Sequence, residues 1–274
     1  MMFKSSVFLC LAASLFTQMA SASIAGCPDP CVQGPIYIDK NTVLNTNVKI
    51  GNTYGIIIAS SSITLDGNNF GIYGDGGSNE VGLLLQNWSN VTINDLDVDN
   101  AGVGISLYNS SNATLDHIDV YDSSSDGIRV YRANNANIAS IYVYGSEGHG
   151  IYINSSYDVD LSYTTSKANG ENGYYLLGAN RINLERNNAF SNDGHGFHIY
   201  QSNDIYSYRS ASGYNEGDGV WIEQSIGGDY DSTVSSYNTG YRLRLTNTRD
   251  NDIDINSPNS SVLVEGISSN NLIY

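Results

Sequence analysis

Gly104-Ile105-Ser106-Leu107-Tyr108, Gly127-Ile128-Arg129-Val130-Tyr131 and Gly150-Ile151-Tyr152-Ile153-Asn154 open successive units of one repeat, and their glycines stand 23 residues apart. The series runs on through Gly173, Gly196 and Gly219, and Arg242 occupies the glycine position one period later. A fixed period of this length marks a repeat architecture, in which no unit can bury its apolar face alone. Within each opening the first and third residues after the glycine are apolar, as in Ile105/Leu107, Ile151/Ile153, Phe197/Ile199 and Val220/Ile222. Alternation with period two describes a strand with one buried face. A second apolar set follows at fixed offsets: Leu115, Ile118 and Val120 in one unit, Ile138, Ile141 and Val143 in the next. Turns of Asn, Ser, Asp and Gly separate these strands, and no unit has room for a crossover helix. The chain can bury such faces by coiling, each unit paired in parallel with the next at about 4.8 Å. The expected fold is all-β: a single-stranded parallel β-helix with 23-residue coils.

The start of the chain reads differently. Residues 1–22 have the form of a secretory leader, with Lys4 at the positive end, an apolar run from Val7 to Phe16, and Ala20-Ser21-Ala22 as a cleavage site. This predicts export to the periplasm or the medium. Ile24-Ala25-Gly26-Cys27 is similar to a bacterial lipobox, which leaves lipid anchoring through Cys27 as the alternative. Cys27 and Cys31 are close enough to close one small disulfide loop at the N-terminal end in an oxidising compartment. The expected organisation is a leader over 1–22, a cap with the first strands over 23–54, the β-helix over 55–264, and a C-terminal tail over 265–274. No segment holds 18 consecutive apolar residues, so no transmembrane helix is expected.

Charge narrows the partners. With 12 Lys+Arg against 28 Asp+Glu, the formal net charge is −16, which disfavours nucleic acid. Asn87, Asn90, Asn109, Asn112, Asn154 and Asn259 begin Asn-x-Ser/Thr sequons. The same residues suit the turns of a coil, because Asn tolerates the left-handed region.

Stacked coils turn sequence offsets into rows. The residue before each glycine reads Asp126, His149, Asn172, His195, Asp218. Neighbours in this row stand one coil apart, so Asp126 faces His149 and His195 faces Asp218. Such pairs suit general acid/base catalysis, and a carboxylate neighbour predicts a raised histidine pKa. A second acidic row, Glu147, Asp193 and Glu216, runs beside it. The outward positions of the first strand carry an aromatic stripe: Arg129, Tyr152, Tyr175, His198 and Trp221 at one offset, Tyr108, Tyr131, Tyr200 and Glu223 at the other. Flat aromatic faces with polar edges suit sugar rings and hydroxyls. On the second strand Asp97 and Asp119 share an offset, and like charges so close invite a hard cation such as Ca²⁺. No other cofactor is implied.

The irregular unit Ile63-Thr64-Leu65-Asp66-Gly67-Asn68-Asn69-Phe70-Gly71-Ile72-Tyr73-Gly74, followed by the Asp/His-Gly-Ile units, resembles the right-handed pectate-lyase-type β-helix repeats of NosD-like proteins, within the class of carbohydrate-binding and sugar-hydrolase repeats. The resemblance covers about residues 36–264. It implies a right-handed coil and a polysaccharide partner, in a class holding lyases, hydrolases, epimerases and non-catalytic surface proteins. Ser125-Asp126-Gly127, Gly148-His149-Gly150 and Gly194-His195-Gly196 are locally similar to motifs of the glycoside hydrolases that cleave pectin. The paired Asp-Asp and the Arg-Ile-Lys motif of those enzymes are absent here. Two functions therefore stand side by side: a secreted protein binding glycan along the stripe, and a polysaccharide hydrolase, lyase or epimerase using the Asp/His pairs. Arg129 and Arg132 make one small basic cluster and Arg242 with Arg244 another, and the mostly neutral stripe between them favours neutral glycans. The sequence does not set the oligomeric state.

Overall fold

A computed structural model describes residues 26–255 and 261–274. The expected leader and Asn259 lie outside these residues. The described residues contain 28 strands and no helix, arranged as an 11-stranded and a 17-stranded sheet. Pairing between strands is parallel throughout. The register is that of the repeat: Ile105 pairs with Ile128, Ile128 with Ile151, Ile151 with Tyr174, and Tyr174 with Phe197. The chain is the parallel β-helix that its period predicts.

Each coil contributes one short strand to the 11-stranded first sheet, such as Ile151–Asn154 or Phe197–Tyr200. After a turn it crosses to the 17-stranded second sheet, as Asn137–Tyr144 or as a pair such as Tyr157–Ser162 and Thr165–Lys167. Between the sheets the inward row Ile105, Ile128, Ile151, Tyr174, Phe197, Val220 and Leu243 is buried from end to end. Tyr174 and Phe197 stack with ring centroids 4.6 Å apart, and the Tyr174 hydroxyl meets Thr164 Oγ1 at 2.8 Å. A buried hydroxyl needs such a partner.

The repeated glycine has a steric cause. A Cβ on Gly150 would collide with the hydroxyl of Ser166 and sit 2.6 Å from Nδ2 of Asn169. That space belongs to a second buried row. Asn192 Oδ1 accepts from the backbone N–H and the Nδ2 of Asn169, at 3.1 and 2.9 Å. Asn215 Oδ1 does the same for Asn192, at 2.9 Å each. Glycine lets the strand pass close over this amide ladder.

The coil extends further at both ends than its glycines mark. Cys31–Gln33 already pairs with Asn47–Lys49, and Ile36–Ile38 with Ile56–Ile58. At the other end Leu272 and Ile273 pair with Asp252 and Ile253. Gly55 and Gly82 stand in register with Gly104 and carry the glycine row toward the N-terminal end, whereas the C-terminal pairing has no glycine and its Leu272 and Ile273 are exposed. Cys27 and Cys31 form a disulfide with their Cα atoms 6.2 Å apart, so the Cys27 sulfur that lipidation would modify is engaged. Asn87, Asn90, Asn109 and Asn112 hold left-handed turns, with φ of 62, 55, 49 and 52°. Among the described residues no helix is long and apolar enough to cross a membrane.

Candidate functional site

The outward face of the first sheet gathers the residues singled out above, in two rows of different character. The row before the glycines is a hydrogen-bond ladder. Each side chain accepts the backbone N–H of the next member: Asp126 Oδ1 from His149 at 3.0 Å, His149 Nδ1 from Asn172 at 3.2 Å, and Asn172 Oδ1 from His195 at 2.7 Å. It continues with His195 Nδ1 accepting from Asp218 at 2.7 Å and Asp218 Oδ1 from Tyr241 at 2.6 Å. Asp126 therefore meets His149 through its backbone N–H and not through its ring. Asp126 turns its other oxygen to Arg129, at 2.9 Å from Nε and 2.7 Å from a terminal nitrogen. In the second pair Asp218 Oδ2 lies 3.5 Å from His195 Nδ1, whose lone pair already takes a backbone proton. The physical reason is that turn N–H groups must be satisfied, and this row supplies their acceptors.

The histidines follow from that geometry. With Nδ1 an acceptor, the proton of each ring sits on Nε2, and in His149 that nitrogen meets Glu171 Oε2 at 3.0 Å. Burial lowers the pKa of His149 against the opposing pull of Glu171 and Asp126. Burial likewise lowers His195 against Asp218. The expected upward shift is thus reversed, because desolvation outweighs the carboxylates.

The second row is the aromatic stripe. Tyr152 stacks on Tyr175 at 5.3 Å, Tyr175 on His198 at 4.9 Å, and His198 on Trp221 at 4.3 Å with planes 2° apart. Arg244 closes the stack with its guanidinium 4.6 Å from the Trp221 ring centroid, and Glu265 holds that guanidinium at 2.8 Å. His149 and His195 lean on the stack from the turn row, 4.7 Å from Tyr175 and 4.9 Å from Trp221. Tyr108 and Tyr131 form a separate stack at 5.3 Å, cut off from Tyr200 by Asn154 and Leu177 in the same row.

The stripe differs from the expected exposed surface in one respect that matters. Its rings cover one another's faces, so all but Tyr108 are half-buried. At a coil spacing near 4.8 Å, flat side chains in one row stack instead of lying open. What the row presents outward is edges: the tyrosine hydroxyls and the Glu223 carboxylate, while Trp221 Nε1 donates to Thr246 Oγ1 at 3.2 Å. Burial raises the pKa of Tyr152, Tyr175 and Glu223. In His198 burial, joined by repulsion from His195, His149 and Arg244, brings the pKa down to about 3. Its Nε2 is buried without a hydrogen-bond partner, 3.6 Å from Glu223 Oε2.

Two contributors were not legible in the sequence. Glu171 stands beside the turn row without belonging to it, and only the fold brings its carboxylate to His149. Arg244 reads as part of a basic cluster, whereas it lies flat on Trp221.

Comparison with known proteins places the fold. The right handed beta helix region family matches residues 33–212. The chain belongs to that family. No curated protein matches it in sequence. Among solved structures, this right-handed β-helix is similar to the Azotobacter vinelandii mannuronan C-5 epimerase AlgE4 A-module, at 16% identity and TM-score 0.60 over 89% of this chain and 84% of the other. It is similar to a mutant of the periplasmic alginate epimerase AlgG, at 14% identity and TM-score 0.63 over 89% and 76%. The Dettilon tailspike protein matches at 13% and 0.60, over 85% of this chain and 61% of the other. At these identities the likeness is one of fold.

On the second sheet of the β-helix, Asp97 and Asp119 are register partners, as their shared offset predicts. Burial and then the Asp119 charge raise the Asp97 pKa. Asp119 Oδ2 accepts from the Tyr121 hydroxyl at 3.0 Å. No group of three or more acidic, His or Cys side chains that could hold a metal occurs among the described residues.

Proposed function

We propose that this is an exported β-helix that binds a polysaccharide along the outer face of its first sheet, the chain running across the coils over the Tyr152–Tyr175–His198–Trp221 stack. The observation that carries the proposal is the continuous half-buried stack with polar edges outward. A rigid stack repeating at the coil spacing, with the Tyr152 and Tyr175 hydroxyls on its rim, is pre-organised for a polymer of hydroxylated rings and loses little entropy on binding. Arg129 continues that row one coil before Tyr152, and Tyr108, Tyr131, Tyr200 and Glu223 lie in the row beside it. Structural neighbours include epimerases of alginate, which supports a polysaccharide as partner. The leader read in residues 1–22 supports export.

A second function, lyase or epimerase, is favoured by one pair: His149 and Glu171, in contact at 3.0 Å beside Tyr175. Against it, burial moves the stripe's tyrosines upward and His198 down to about 3, away from neutrality, and only Glu223 is raised toward it. General acid/base groups work best with a pKa near the working pH. Binding is the function we propose on that ground. A polysaccharide array probed with the purified protein, reading both retained protein and released or unsaturated product, separates the two. Retention without product supports binding, and product that disappears in His149→Gln supports the enzyme. Neither signal on any polysaccharide defeats both.

A further inference from the structure

Beside the stripe runs a line of carboxylates, none of which forms an ion pair with a lysine or arginine among the described residues. Glu147, Glu171, Asp193 and Glu216 are all exposed. They lie on the turns that lead into the first sheet, and the backbone stacks these turns coil on coil. Glu171 N–H donates to Gly148 at 3.1 Å, and Gly194 N–H donates to Glu171 at 2.9 Å. Asp193 and Glu216 donate to Asn169 and Asn192, each at 2.9 Å. Each carboxylate is one to two residues from the turn row that leans on the stack, about 7 Å of extended chain at most. Glu171 comes closest, with its carboxylate 3.0 Å from His149 Nε2 and that ring 4.7 Å from Tyr175, so the field of the line reaches the stripe over about one screening length at physiological salt.

The stripe's own cations do not offset this field. Arg129 is held by Asp126 at 2.7 Å and Arg244 by Glu265 at 2.8 Å. His149 and His195 use Nδ1 as acceptors of backbone protons, a state open only to the neutral ring. Glu223 adds a carboxylate within the row itself.

We infer that this acidic rail sets the ligand class: the face takes an uncharged polysaccharide and repels polyuronates. A polyuronate laid across the coils would bring one carboxylate per sugar along a line of fixed carboxylates. Like charges in register are penalised, and discrimination by such repulsion needs no contact with the rejected ligand. The inference rests on the binding function proposed above, and it separates this chain from the alginate epimerases whose fold it shares.

The test compares uncharged glucan, mannan and xylan with polymannuronate and polygalacturonate, at low ionic strength and at about 0.15 M salt. Three proteins are measured: wild type, Trp221→Ala, and a neutralised rail carrying Glu147→Gln, Glu171→Gln, Asp193→Asn and Glu216→Gln. Wild type is expected to bind at least one uncharged polymer and to bind polyuronates at least tenfold more weakly. The neutralised rail is expected to gain tenfold or more for polyuronates at low salt and to keep its affinity for the uncharged polymer. Polyuronate binding by wild type that Trp221→Ala abolishes, with or without added calcium, overturns the inference while leaving the binding face in place. This holds even if the fourfold variant fails to fold. Failure of wild type to bind any of the five polymers overturns the binding function and the inference together.

Discussion

Two rows run side by side along the same sheet, and they use similar residues for opposite ends. The turn row Asp126–His149–Asn172–His195–Asp218 has the composition of an active site, yet its acceptor atoms are spent on backbone N–H groups one coil away. The stripe Tyr152–Tyr175–His198–Trp221 has the composition of a core, yet it faces outward; the Tyr152 hydroxyl accepts from Asn154 at 2.6 Å and Trp221 Nε1 donates to Thr246 at 3.2 Å, while the Tyr175 hydroxyl is left unspent. In a β-helix the identity of a side chain says less about its role than which of its atoms the next coil consumes. Asn172 makes the point most simply: placed between two histidines, it does the same job with an amide oxygen.

The inward row beneath both sets the scale. Ile151 is fully buried between Ile128 and Tyr174. Ile151→Asp places an unpaired charge there and is expected to cost about 4 kcal/mol or more, read as a large loss in denaturant midpoint. Wild-type-like unfolding would mean that the faces of the first sheet are reversed.

Breaking the turn row comes next. Asn172→Ala leaves the His195 N–H without its acceptor, at a cost of about 1–3 kcal/mol, with glycan affinity nearly unchanged. His149→Asn and His195→Asn keep an acceptor in place and are expected to lose less than Asn172→Ala. If instead the asparagine variants unfold as readily, the row is more than a set of acceptors.

Acidity acts on both rows at once. In the unfolded chain a histidine titrates near 6.5, and the folded values of His149, His195 and His198 lie lower. The unfolded state therefore binds more protons below that pH, and stability falls as the pH drops from about 6.5 toward the folded values, about 3 for His198. The groups facing these rings, Glu171, Asp126, Arg129, Asp218, Arg244 and Glu223, are already included in that direction or oppose it without reversing it. Melting temperature measured from pH 7.5 to 4.5 should decline, and His149→Asn with His195→Asn should flatten the decline. A profile flat in wild type contradicts the neutral rings on which the turn row depends.

The fold was open to reading because its determinants repeat in register. Two alternating apolar residues, seen seven times and preceded six times by a glycine, fix the period, the buried face and the parallel pairing. The site was open only in part. Offsets correctly put Asp126 beside His149 and His195 beside Asp218, but a backbone N–H is invisible in a list of side chains, and it won both contacts. Local pairing also intervened, since Arg129 reaches Asp126 from three residues along the same coil. The histidine shifts ran opposite to expectation because burial, a property of the assembled coils, outweighs neighbouring charge. The stripe was found by alternation, but its ring planes follow from packing at the coil spacing.

The central claim is that the stripe meets its ligand with edges, not faces. Tyr175→Phe tests it most directly, because it removes one hydroxyl at the middle of the row and leaves the stack on Tyr152 and His198 intact. Calorimetric titration with the polysaccharide the wild type binds should show affinity reduced about three- to tenfold, the worth of one uncharged hydrogen bond, with melting unchanged. Unaltered affinity in Tyr175→Phe, together with its loss in Trp221→Ala, would mean that sugar rings stack on aromatic faces and would contradict the account.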